Sequence, residues 1–168
     1  MSAEGFICSR CGESHGDLPI SYGVTAPAYW YQLPPEERAR RARLSSDQCV
    51  IDDKYFFVVG NVEIPLLGEG LDFVWSVWVS LSENNFRRAS GLWGTEGRES
   101  EPPYFCWVGT ELPCYPSTLN LKARMRTRPL GERPLVELEP TDHPLAVEQR
   151  RGITLARVRE IAECVLHE

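Results

Sequence analysis

Phe73-Val74-Trp75-Ser76-Val77-Trp78-Val79 changes character residue by residue. A period of two is that of a β-strand, whose successive side chains point to opposite faces. Phe73, Trp75, Val77 and Val79 share one face, and Val74, Ser76, Trp78 and Ser80 the other. The first face predicts a sheet with a core against it. Trp78, on the more polar face, is expected to lie under a helix, with an aromatic anchor for a partner as the alternative.

Working outward, residues 49–67 read as two strands around a turn at Asp52-Asp53-Lys54. On the other side, Ser82 has the hydroxyl of an N-cap, and Phe86, Ala89 and Trp93 form the apolar stripe of a helix. Residues 94–103 are a polar loop, and 104–109 a further strand. In residues 119–127, Leu119, Leu121, Ala123 and Met125 fall on one face, and Lys122, Arg124 and Arg126 on the other, with Arg128 in step. After a turn near Pro129-Leu130-Gly131, Val136 and Leu138 alternate with Leu135, Glu137 and Glu139. Matching the two apolar faces in a hairpin sets the basic stripe against two carboxylates, a charge-paired surface.

Toward the N-terminus, Pro34-Pro35-Glu36-Glu37 starts a helix that runs to about Leu44, and residues 17–33 read as an irregular packed loop. Toward the C-terminus, Thr141 or Asp142 caps a helix from Pro144 to Gly152. Thr154 caps another, with Leu155, Val158, Ile161, Ala162 and Val165 as its stripe. The fold class expected is α+β: a single domain over 1–168, an antiparallel sheet packed by helices, with an N-terminal zinc-knuckle-like segment. Within it, 6–16 is the metal knuckle, 49–139 is mainly β with one inserted helix, and 141–166 holds the C-terminal helices.

The chain has 168 residues, 42% of them hydrophobic, enough to build a core of its own. A net charge of −6 disfavours a phosphate backbone as partner, since such affinity comes mainly from Lys and Arg. The first five residues carry neither a basic start nor an apolar run, and no apolar stretch approaches the roughly 20 residues of a membrane span. The expected setting is therefore cytoplasmic, with no membrane partner. Six cysteines in such a chain point to thiols and a metal site rather than to a disulfide framework.

Cys8-Ser9-Arg10-Cys11-Gly12 has the spacing of half a tetrahedral zinc site, with a glycine for the tight turn beneath the sulfurs. His15 is the nearest third ligand. Cys49 is the first choice for the fourth and His143 the second; Cys106 and Cys114 suit less well, and Cys164 should face the packing side of the last helix. Thr141-Asp142-His143-Pro144-Leu145-Ala146-Val147-Glu148 is the other constellation. A histidine at a helix start stays neutral, fit for a metal or for general-base work, with Glu148 as a possible companion; simple helix capping is the competing reading. Phosphate-cradling, dinucleotide, nucleophile-elbow and HExxH signatures are absent from the sequence.

The knuckle with His15, the 45–52 segment Ser-Ser-Asp-Gln-Cys-Val-Ile-Asp, Phe56-Phe57 followed by Glu63-Ile64-Pro65, Val77-Trp78-Val79-Ser80-Leu81-Ser82, and residues 141–149 together resemble the bacterial family called domain of unknown function 2199. The resemblance runs through nearly the whole chain. It implies a bacterial protein built as this domain, and Cys8, Cys11, His15, Cys49 and His143 fit the family pattern where Cys106 and Cys114 depart from it. It carries no activity. The functional expectation is a cytoplasmic domain stabilised by zinc on Cys8, Cys11, His15 and Cys49, which binds a protein or small molecule without catalysis. The alternative is a zinc-dependent, hydrolase-like enzyme with His143 or Glu148 as base. Nucleic-acid binding ranks last.

Overall fold

The 73–79 alternation is the middle of a ten-residue strand paired antiparallel with an eleven-residue neighbour along ten residue pairs, from Phe56↔Leu81 to Pro65↔Asp72. The computed structural model describes residues 5–168. After the N-terminal segment come β1 (Ser21–Gly23), α1 (Ala28–Gln32), α2 (Arg38–Arg41), β2 (Ala42–Leu44), β3 (Gln48–Ile51) and the hairpin of β4 (Tyr55–Pro65) with β5 (Asp72–Leu81). Then follow α3 (Glu83–Gly91), β6 (Tyr104–Val108), β7 (Lys122–Arg126), β8 (Leu135–Leu138), α4 (Pro144–Arg151) and α5 (Leu155–Leu166).

Strands β4-β5-β6-β7-β8 close on themselves into a five-stranded barrel. The expected simple antiparallel sheet is corrected here, although the mixed α and β content stands. An odd ring cannot alternate direction at every junction, so one neighbouring pair must be parallel; that pair is β4–β8, joined at Asn61↔Leu135. Gly60 makes the junction possible. A Cβ there would lie 2.6 Å from Val136 Cγ2 and 3.1 Å from the Pro134 carbonyl oxygen, while the next residue, Asn61, donates its N–H to that carbonyl at 2.8 Å. Outside the ring, β3 and β2 extend the sheet from the first half of β4, and β1 lies parallel to β5.

Phe73, Trp75, Val77 and Val79 enter one continuous core with Val58, Val62, Ile64, Ala123, Met125 and Val136. Phe86 of α3, Leu145 of α4 and Val158 and Ile161 of α5 join it. The opposite face of the β3–β4–β5 region carries a second core of Cys49, Ile51, Phe57, Val59 and Trp78, covered by Leu33 and by Tyr29 and Trp30 of α1. Trp78 is therefore fully buried, its ring N–H donated to the Val24 carbonyl at 3.0 Å, which makes it a packing residue under a helix.

Local chemistry explains where the elements begin and end. The hydroxyls of Ser82 and Thr154 accept the backbone N–H groups of Asn85 and Arg157 and cap α3 and α5. The helix expected to reach Leu44 stops at Arg41, because Ala42–Leu44 pair with β3 instead. Arg41 then grips Asp52 at 2.7 Å across the β3–β4 turn, where Asp52 and Asp53 both adopt positive φ. The expected 17–33 loop also contains β1 and α1. Cys114 and Cys164 form a disulfide, contrary to the all-thiol expectation. Residues 50 apart in sequence are brought to a Cα–Cα separation of 6.1 Å by tertiary packing that cysteine spacing does not report.

Candidate metal centre

The N-terminal segment folds into a small hairpin before it meets the rest of the protein. Ile7 and Ser14 bridge antiparallel. Cys8 N–H donates to the Glu13 carbonyl, Gly12 N–H to the Cys8 carbonyl and His15 N–H to the Phe6 carbonyl, each at 2.9 Å. Gly12 turns the chain at φ +73, a conformation costly for residues with a Cβ. The hairpin brings Cys8 Sγ, Cys11 Sγ and a His15 ring nitrogen within 4.8 Å of one another. Cys11 Sγ lies 3.4 Å from His15 Nε2. A tetrahedral zinc with ordinary bond lengths needs sulfur and nitrogen ligands about 3.5 Å apart. The group can hold a metal ion with little rearrangement.

Cys8 is buried and Cys11 exposed. Burial alone would raise the Cys8 thiol. The backbone N–H groups of Cys11 and Arg10, and then the side chains of His167 and Cys11, outweigh it and bring the thiol down to about 7. Thiolate is the form that binds metal. Arg10 N–H points at Cys8 Sγ from 3.4 Å.

The hairpin is fastened to α5. Both carboxylate oxygens of Glu163 accept from Ser9, one from its N–H at 2.7 Å and one from its hydroxyl at 2.6 Å. Phe6 and Cys8 pack against Ala162, one residue earlier on the same helix. Beyond the helix end, His167 Nε2 lies 3.2 Å from Cys8 Sγ. Neither Glu163 nor His167 belongs to a motif in the sequence. Nothing local in the sequence says that residues 8 and 9 lie opposite either of them.

Cys49 does not join this group. It sits on β3 between Leu44 and Phe57 in the second core, and burial pushes its thiol up to about 11. Cys106 is likewise buried inside the barrel and pushed up to about 12. Cys114 and Cys164 are consumed by their disulfide. His143 is the N-cap of α4, taking the role expected of Thr141 or Asp142: its Nδ1 accepts the Leu145 N–H at 3.1 Å. Its Nε2 faces the carbonyls of Pro116 and Ser117 at 3.1 and 3.2 Å. Glu148 accepts the Tyr115 hydroxyl at 2.6 Å on one oxygen and Arg157 Nε at 2.7 Å on the other. Among the described residues, no hydrogen bond joins His143 or Glu148 to each other or to Cys8, Cys11 or His15.

The basic stripe behaves as the register argument requires. Glu137 stands opposite Arg124 and pairs with Arg126 at 2.6 Å. On that outer face a cleft of about 700 Å³ is lined by Phe105, Lys122, Arg124, Glu137 and Glu139. No helix of the described residues is long and apolar enough to cross a membrane.

A family described as "Uncharacterized protein conserved in bacteria (DUF2199)" matches residues 7–153. No curated protein and no solved structure matches the chain.

Proposed function

Because the chain belongs to this bacterial family, whose description names no activity, we propose its function from the centre's geometry: a binding or regulatory domain over 1–168, stabilised by zinc on Cys8, Cys11 and His15 and without catalysis of its own. The observation that carries the reading is the convergence of two sulfurs and an imidazole on one short hairpin. Two soft thiolates with an imidazole in tetrahedral disposition suit zinc better than harder, oxygen-seeking cations. The metal would fix the hairpin; binding would fall to surfaces such as the cleft beside Phe105 and Arg124, which suits a protein or small-molecule partner. Nucleic acid is not proposed as partner, given the net charge of −6.

A cytoplasmic setting remains part of this reading. The free thiols of Cys8, Cys11, Cys49 and Cys106 support it, and the Cys114–Cys164 pair weighs against it. Alkylation of the cysteines in intact cells, read by mass spectrometry, tests it.

The zinc-enzyme alternative draws support from a three-ligand set, which leaves one coordination place for water. It also needs a base beside the metal, and the contacts of His143 and Glu148 are made elsewhere. The test is metal content of protein purified without added metal. About one zinc per chain is expected, lost in Cys8→Ser and in Cys11→Ser. Loss of a stabilising metal worth about 2 kcal/mol lowers the melting temperature of a chain this size by roughly 4–8 °C. A Cys8→Ser variant that loses its metal and keeps its melting temperature overturns the structural role.

A further inference from the structure

We propose that His167, just beyond the end of α5, is the fourth ligand of the metal centre, so that the site is a closed Cys2His2 tetrahedron joining the N-terminal hairpin to the C-terminal helix. The inference rests on the reading of Cys8, Cys11 and His15 as a metal site and goes beyond it by naming what closes the coordination sphere. His167 also lies outside the 7–153 segment matched by the family.

Three observations carry it. His167 Nε2 is 3.2 Å from Cys8 Sγ, close to the roughly 3.5 Å edge between sulfur and nitrogen ligands of one zinc. Cys8 Sγ is the polar partner of that ring among the described residues. The backbone around it is already held in place: Ser9 is clamped by Glu163, Phe6 and Cys8 pack on Ala162, and His167 N–H is bonded to the Cys164 carbonyl at 3.3 Å. The 4.8 Å group comprises Cys8, Cys11 and His15, so metal binding must draw the His167 ring closer to Cys11 and His15 than it stands in the structure.

The competing fourth ligands are each engaged. Cys49 is enclosed in the second core, Glu163 has both oxygens on Ser9, and His143 has both ring nitrogens on backbone groups. With His167 in place no coordination position is left for water, and the centre is structural. Metal binding would then fasten α5 to the hairpin in addition to the Cys114–Cys164 link on the same helix.

The test compares the wild type, His167→Ala, His167→Cys, Cys49→Ser and Cys8→Ser as full-length proteins. Zinc affinity is measured by competition with a chromogenic chelator, and ligand geometry by the visible spectrum of the cobalt(II)-substituted proteins. Melting temperatures in excess chelator verify that each variant folds. We expect His167→Ala to bind zinc on the order of a hundredfold more weakly and, with water in the vacated place, to shift its tetrahedral cobalt bands while keeping thiolate-to-cobalt absorption. His167→Cys should keep tetrahedral intensity with a stronger thiolate signature, and Cys49→Ser should match the wild type. Zinc affinity and a cobalt spectrum unchanged in His167→Ala would overturn the fourth-ligand assignment and leave the three-ligand site standing. A wild type that takes up neither zinc nor cobalt would overturn both.

Discussion

Gly60 shows how much of this fold can hang on one missing methyl group. Any Cβ at position 60 would overlap Val136 and press on the Pro134 carbonyl, where β4 and β8 complete the ring. Overpacking of this kind costs about 1–3 kcal/mol. Gly60→Ala is therefore expected to lower the unfolding free energy by that much, read in urea as a lower midpoint at unchanged slope; a variant as stable as the wild type would mean that the junction yields easily. Arg98 is a residue of the opposite kind, bulky, charged and 8% exposed. Its guanidinium donates to the carbonyls of Trp93, Arg128, Pro129 and Glu132, at 2.8 to 3.1 Å, so one side chain satisfies four backbone acceptors and ties the loop after α3 to the turn before β8. Buried carbonyls left without donors cost more than the bonds themselves contribute.

Between elements, α3 is pinned to the segment entering β6 by an ion pair that predicts an acid response. Arg88 grips Glu101 through two bonds of 2.7 Å, and the Tyr104 hydroxyl donates to the same carboxylate at 2.6 Å. Arg88 first and Tyr104 second hold the Glu101 carboxyl at about 2, against an ordinary 4.5. A carboxyl depressed in the folded state stabilises fully above its unfolded value, and the stabilisation is lost as pH falls through the folded one. The melting temperatures of wild type and Glu101→Gln should thus differ by a constant amount above about pH 5, then converge between pH 4.5 and 2; parallel curves down to pH 2 would contradict the assignment. Such elements were legible where the signal is local. The two-residue alternation at 73–79 and 122–126, the caps at Ser82 and Thr154 and the Asp52-Asp53 turn all depend on near neighbours. So does the Cys8/Cys11/His15 hairpin, whose three metal-capable side chains lie within eight residues. The parallel seam, strand β1, the Cys114–Cys164 bond and the approach of residues 163 and 167 to 8 and 9 depend on residues far apart in the chain, and a single sequence does not rank such pairings. The surroundings of Cys49 were hidden for the same reason: the expected helix-to-strand junction is instead the inside of β3, paired with β2 and β4, and the side chain lies in the core with Phe57.

At the scale of the whole molecule, the two devices that matter sit on opposite sides of one design. The barrel carries the core, and the hairpin and α5 are clamped to each other at its margin by Ser9–Glu163 and by Cys8–His167. The odd ring also has a kinetic consequence. Four of its five junctions join strands that follow one another in the chain, and those can zip in sequence; the fifth joins the first strand to the last. Non-local pairings form late, after the entropy of closing the intervening chain has been met. Until the second half of β4 finds β8, each presents an unpaired edge that fits the other, whether in one molecule or in two. Refolding at rising protein concentration should therefore divert a growing share of chains into strand-exchanged dimers, resolvable by size-exclusion chromatography, and Gly60→Ala should enlarge that share by slowing closure within one chain. A dimer fraction independent of concentration would show that the ring shuts before neighbouring chains can meet its edges.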